Sequence, residues 1–300
     1  MSIISAALRT RERGQQARFA RTGFAESTLA ELAWQHTRGA AGRWAIAGVV
    51  VGAIAGLMAF APAAWLASAV ASATGERLLL TDARGTLWNG SALPVLTGGP
   101  GSRDASALPG RIEWQLGLRG LGAELRARQA CCLRGEVRAL IRPGLGRVSV
   151  QVLPAESTTL GQWPAAWLVG LGTPWNTLQL GGSLRLTSPG LTIEWVQGRV
   201  RFSGEAALDV ANASSRVATL DTLGSYRLTL RGDAASADAA KLNLITLDGA
   251  LRLSGQGEWT GTGLRFRGEA QATDGSETAL NNLLNIIGRR QGARSVISIG

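Results

Sequence analysis

From Trp44 to Gly75 the chain carries no charged side chain, and Trp44 to Trp65 reads WAIAGVVVGAIAGLMAFAPAAW. A helix built from this run has no polar face to turn toward water, so a stretch of this length reads as a membrane span. The bracketing tryptophans are 21 residues apart, roughly 30 Å along a helix, the thickness of a bilayer hydrocarbon core. Trp44 and Trp65 are therefore read as interfacial anchors. Pro62 lies one turn before the second anchor, so a kink or helix end is expected there, with a short surface helix over Ala63 to Ala73.

Two other readings of this run are weighed. Arg43 at its edge and its unbroken apolar character count against the buried helix of a soluble protein. Ala71 and Ala73 form a small-x-small pattern that would suit a cleaved signal peptide. Against that stand an apolar core longer than the roughly 7 to 15 residues usual for such peptides and the 43 residues that precede it.

Charge supplies the orientation. The chain has 31 basic and 21 acidic side chains, a formal +10, and every basic residue except Lys241 is an arginine. Residues 1–43 hold seven arginines against Glu12, Glu26 and Glu31, a net +4. Basic flanks stay in the cytoplasm, which places the long C-terminal portion on the exported side. The remaining excess is spread singly along alternating segments, as in Arg199 with Arg201 or Arg265 with Arg267. That is how a solvated strand face looks, so no nucleic-acid partner is expected. Within residues 1–43, Phe24, Leu29, Leu32 and Trp34 fall near helical spacing and suit either a short amphipathic helix on the inner leaflet or a weakly ordered tail. His36 is the one histidine and has no second ligand beside it.

After Glu76 the pattern changes to short alternating runs separated by Gly, Pro, Asp and Ser. Ile112 to Leu116, Val137 to Ile141, Val148 to Leu153, Leu184 to Thr187, Leu191 to Val196, Val200 to Leu208, Tyr226 to Arg231, Leu242 to Leu247, Ala250 to Gly255 and Leu264 to Ala272 all have the period of strands. About a dozen strands at hairpin spacing predict a mainly antiparallel sheet. Ser188-Pro189-Gly190, Gly144-Leu145-Gly146 and Thr260 to Gly263 carry turn residues for its connections. Two short helices are predicted in this body. One runs near Pro164 to Leu171 and is ended by Gly172; the other covers Glu277 to Ile287, with Leu280, Leu283, Leu284 and Ile287 on one face, Gly288 at its end and Arg289 and Arg290 suited to its negative pole. Leu168 to Gly182 and Leu283 to Gly300 share an order of apolar helix, glycine, polar stretch and strand, which suggests a duplicated meander with halves at about 76–187 and 188–300. Long duplicated meanders twist into a curved sheet with one apolar concave face.

Catalytic chemistry finds little support in these residues. The exported part has no histidine, and its carboxylates, among them Glu113, Glu194, Glu205 and Glu269, sit singly on strand patterns. No metal site, cofactor site or catalytic set is assigned. Gly255 to Gly263 departs from a nucleotide fingerprint and reads as a hairpin. Cys131 and Cys132 are the two cysteines. On a strand, neighbouring side chains point to opposite faces, so one buried and one exposed thiol is expected; a vicinal disulfide is the alternative.

Residues 61–92 read APAAWLASAVASATGERLLLTDARGTLWNGSA. The Pro-Ala pair after the span, the Ala-rich helix and above all Gly85-Thr86-Leu87-Trp88-Asn89-Gly90 resemble the protein N family of the bacterial type II secretion system. The resemblance continues through Leu108-Pro109-Gly110 and Ile112 to Leu116, through Pro174 to Leu186, and through Ala250 to Gly300, covering about 240 residues. The arginine-rich extension departs from a family that usually starts near its anchor. The apolar run and the charge balance predict a cytoplasmic segment at 1–43, a transmembrane helix at 44–66 and an exported β-rich domain at 67–300, which the resemblance implies is periplasmic. It also implies a scaffold role in export of folded proteins. Partners would be other inner-membrane components of that system, with the outer-membrane secretin as a further candidate. The strand repeats are also similar to AsmA-like periplasmic proteins, which makes lipid binding along a hydrophobic groove the alternative. Trp88 is then either part of a contact patch or a core residue pinning the first hairpin.

Overall fold

The computed structural model describes residues 42–154, 157–233 and 240–300. The segment with Phe24, Leu29, Leu32, Trp34 and His36 lies outside them. The chain divides into two units, Met1–Phe60 and Ala61–Gly300. In the first, helix α1 (Gly42–Ala59) is, among the described residues, the one helix long and apolar enough to cross a membrane. Its side chains are exposed almost throughout, as expected of a helix with no polar stripe and no core to face.

The second unit begins with Ala61 and Pro62 and enters helix α2 (Ala63–Ala73), with Pro62 in its N-cap position. A proline can precede the first turn because the N–H it lacks would have no partner there. The helix predicted over Ala63 to Ala73 is present with those bounds. Trp65 lies on α2 and not on α1, so the separation of the two tryptophans is not the length of one continuous helix.

Among the described residues sixteen strands follow, a few more than the dozen expected. They are β1 (Leu78–Gly85), β2 (Asn89–Thr97), β3 (Ala105–Ala107), β4 (Ile112–Arg119), β5 (Gly122–Gln129), β6 (Val137–Gly144), β7 (Arg147–Val152) and β8 (Thr159–Pro164). A 3-10 helix (Ala165–Leu171) and the single turn α3 (Trp175–Leu178) then lead into β9 (Leu180–Val196) and β10 (Arg199–Ser215). The chain ends with β11 (Gly224–Gly232), β12 (Ala240–Asp248), β13 (Leu251–Trp259), β14 (Leu264–Ala272), helix α4 (Glu277–Ile287), β15 (Arg289–Gln291) and β16 (Arg294–Ile299). All belong to one curved antiparallel sheet, ordered β1-β2-β4-β5-β6-β7-β9-β10-β11-β12-β13-β14-β16-β15, with β3 added to β2 and β8 to β9. The fold is mainly β, as the alternation predicts. Arg289 and Arg290 open β15 instead of closing α4, and α3 is a helical turn that the apolar pattern did not announce.

Ser188-Pro189-Gly190, expected to be a turn, lies inside β9. Thr187 faces Ala207 and Gly190 faces Glu205, so β9 fits three residue steps against two of β10, a β-bulge. Proline's missing N–H is tolerated at a bulge, and the Ser188 hydroxyl donates to the Glu205 carbonyl at 2.6 Å. One extra residue reverses the alternation. Leu184 and Leu186 before the bulge, and Leu191, Ile193 and Trp195 after it, therefore register with Val210, Leu208, Gly204, Phe202 and Val200, all on one face.

That apolar face carries both main helices. Near the start of the sheet, Ala63 of α2 packs with Ala92 and Trp114, flanked by Leu66, Leu80, Ala83 and Leu125. Near its end, Leu280, Leu283 and Leu284 of α4 pack with Tyr226, Leu251, Ala270 and Ala272. The predicted apolar stripe of α4 is thus buried, except for Ile287, which is only partly so. Ser295, fully buried on β16, donates from Oγ to the Leu284 carbonyl at 2.5 Å and ties helix to sheet.

Candidate interaction surfaces

The Gly85-to-Gly90 block is the turn between β1 and β2, and residues around it close on themselves. Thr86 N–H donates to the Asn89 carbonyl at 2.9 Å, and Asn89 N–H donates to the Thr86 hydroxyl at 3.1 Å. Gly85 has φ 86°, the left-handed region, where a side chain would be strained. Gly90 is needed for a different reason: a Cβ there would sit 2.6 Å from the Trp114 ring and 2.7 Å from the Arg84 carbonyl oxygen. Three outside groups pin the turn. Leu87 N–H donates to the Ala61 carbonyl at 2.7 Å, and the Trp114 indole N–H donates to the Leu87 carbonyl at 3.1 Å. Leu116 N–H donates to the Trp88 carbonyl at 2.7 Å.

Trp88 itself is half-buried, whereas Trp114 is 3% exposed. The pinning role considered for Trp88 is filled by Trp114, a residue visible in the sequence only as the middle of an alternating strand. Arg111 reinforces the same hairpin: its guanidinium reaches Asp82 at 2.7 Å and the Ser91 hydroxyl at 3.1 Å. Asp82 is held below the usual carboxylate range, first by its hydrogen bond from Arg84 and then by that from Arg111.

Cys131 and Cys132 occupy the connection between β5 and β6, not a strand, and are joined to each other by a disulfide. The expectation of two thiols on opposite faces fails because it presumed strand alternation, which a turn does not obey. Cys132 is nonetheless buried and Cys131 exposed. The turn grips β8: Gln162 N–H donates to the Cys132 carbonyl at 2.7 Å and Arg134 N–H to the Leu160 carbonyl at 3.1 Å.

The face opposite the helices is polar. In its C-terminal half it forms a cleft of about 1990 Å³ between β10 and β16. Cross-strand registers place Glu205, Arg231, Lys241, Glu258 and Arg265 in one row. Thr229, Asn243, Gln256, Arg267 and Ser298 form the next. Arg227 binds Asp209 through two bonds of 2.6 and 2.9 Å, which lowers the Asp209 pKa; Arg231 pairs with Glu205 at 3.1 Å and Arg294 with Glu269 at 3.1 Å. Arg265 and Arg267, read as scattered solvated charges, therefore line a wall, because register aligns residues from strands far apart in sequence. The lining is mixed, with Ala207, Ile245 and Val296 set among charged and hydrogen-bonding groups, and not the wholly apolar surface expected of a concave face.

Among the described residues no group of three or more His, Cys, Asp and Glu could hold a metal ion. Trp44 and Trp65 are both largely exposed. Compared with known proteins, the chain matches a family model described as "Type II secretion system (T2SS), protein N" over residues 76–297. No curated protein and no solved structure matches it.

Proposed function

Because the chain belongs to the type II secretion system protein N family, we propose that it acts as a non-catalytic scaffold, anchored in the inner membrane by α1, with its β-rich body in the periplasm. Membership ties the protein to type II secretion and to contact with other components of that system. The observation that carries the scaffold reading is the span of the match, which takes in nearly the whole sheet, from two residues before β1 into β16. The arginine-rich flank before α1 supports a cytoplasmic N-terminus. The anchored β1–β2 turn, with half-buried Trp88 at its tip, is the surface we assign to contact with inner-membrane partners or the secretin. A protein that works by binding has no need of the histidines this body lacks.

Deletion of the gene tests the reading. The expected result is exoproteins trapped in, or slowed through, the periplasm; in-cell crosslinking from position 88 should then capture another component of the apparatus. One observation favours lipid binding as the second reading. Leu186, Leu208, Leu228 and Leu244 form a half-buried row on the apolar face, with Ala206, Leu230 and Leu242 beside it. Normal export with altered envelope lipids after deletion would overturn the scaffold role and favour that row as an acyl-chain track.

A further inference from the structure

The charges of the polar cleft do not cancel. Arg227, Arg231 and Glu269 are neutralised by Asp209, Glu205 and Arg294. Lys241, Arg265 and Arg267 have no ion-pair partner among the described residues, and Glu258, in register between Lys241 and Arg265, is the one carboxylate of the lining left beside them. Three uncompensated cations against one anion make this wall electropositive.

The neighbouring row supplies a second kind of group. Thr229, Asn243, Gln256 and Ser298 carry hydroxyls and carboxamides that both donate and accept hydrogen bonds. A charged row beside a hydrogen-bonding row whose one charge is Arg267 suits a ligand with acidic side chains and a polar backbone. At about 1990 Å³ the cleft exceeds the roughly 300 to 1,000 Å³ of small-molecule sites. From β10 to β16 it crosses five inter-strand spacings, roughly 24 Å, the length of about seven residues of extended chain. On the cleft's face the apolar side chains Ala207, Ile245 and Val296 stand singly beside Thr229, Arg227 and Glu269, so they form no continuous strip for an acyl chain.

We propose that this cleft is a docking site for an acidic, extended segment of a protein partner, with Lys241, Arg265 and Arg267 binding its carboxylates. The site goes beyond the scaffold role and does not depend on it, since binding is read on the purified chain and secretion in cells. Full-length protein in neutral detergent is titrated into a fluorescein-labelled octapeptide of alternating glutamate and serine, with an alternating asparagine and serine octapeptide as control. The glutamate peptide should bind with a salt-sensitive affinity, and Lys241→Gln/Arg265→Gln/Arg267→Gln should weaken it by roughly tenfold. Arg138→Gln/Arg142→Gln/Arg147→Gln, an equal change in charge outside the cleft, should leave it within about twofold. Glu258→Gln should tighten binding, a gain that misfolding cannot mimic. Absence of glutamate-peptide binding, equal loss in the two triple variants, or no gain in Glu258→Gln would overturn the proposal. So would cleft-dependent binding to phosphatidylglycerol vesicles without peptide binding, which would assign the cations to a lipid headgroup.

Discussion

The indole N–H of Trp114, on β4, donates a 3.1 Å hydrogen bond to the Leu87 carbonyl in the β1–β2 turn, 27 positions earlier in the chain. The Leu87 amide is held in turn by Ala61. The chain that enters the β body and the Gly85-to-Gly90 turn are thus fixed to each other at Leu87, whose carbonyl is held by one buried aromatic residue.

Truncating that residue should unfold the start of the sheet. Trp114→Ala removes a fully packed ring and is expected to cost about 3–5 kcal/mol, whereas Trp114→Phe, which gives up chiefly the hydrogen bond, should cost about 1 kcal/mol. Gly90→Ala should cost roughly 1–3 kcal/mol by pushing a methyl against the Trp114 ring. Thermal or urea unfolding checks all three; a neutral Gly90→Ala would show that the turn is not held as described.

The Cys131–Cys132 bond should be seen by intact-mass measurement as a gain of two hydrogens on reduction. Because the turn grips β8, reduction should raise hydrogen exchange at the Gln162 and Arg134 amides, which donate across that contact. Unchanged mass would rule out the bond, and unchanged exchange would rule out its part in holding β8.

The Asp209–Arg227 pair predicts a pH dependence. Asp209 has its pKa lowered, first by its hydrogen bond from Arg227. A carboxylate with a folded pKa below its unfolded one adds stability above the ordinary carboxylate range, and this is lost as pH falls through the folded value. Asp209→Asn should cost about 1 kcal/mol at neutral pH, since Arg227 is nearly half solvated. The variant should also show a flatter loss of stability between about pH 5 and pH 3 than the parent. A parallel pair of curves would discount the ion pair.

Helix α4 should be held by its buried stripe. Leu284, 0% exposed, should cost about 2–5 kcal/mol when truncated to alanine, while Ile286, 40% exposed on the same helix, should cost well under 1 kcal/mol. Similar losses at the two positions in chemical denaturation would contradict the helix's orientation.

Legibility in the sequence followed the range of the interaction. α1, α2, α4 and most strands were readable because alternation and apolar spacing are local signals, and Pro62 marked the start of α2 because it acts on its own turn. Ser188-Pro189-Gly190 misled for the same reason. Those residues suit a turn or a bulge equally, and only pairing with Glu205 and Ala207 selects the bulge. Cys131 and Cys132 were misjudged by borrowing strand geometry for a turn.

The sequence by itself determined an uncharged span, a basic flank before it, a β-rich body without histidine, and a turn block that resembles one secretion family. Those properties live in composition and short spacing. Tertiary structure decided that Trp114 and not Trp88 is the buried anchor, and that Lys241, Arg265 and Arg267 share one wall with Glu258 between two of them. Side chains on different strands become neighbours only when hydrogen-bond register is set, and register depends on every bulge and turn between them.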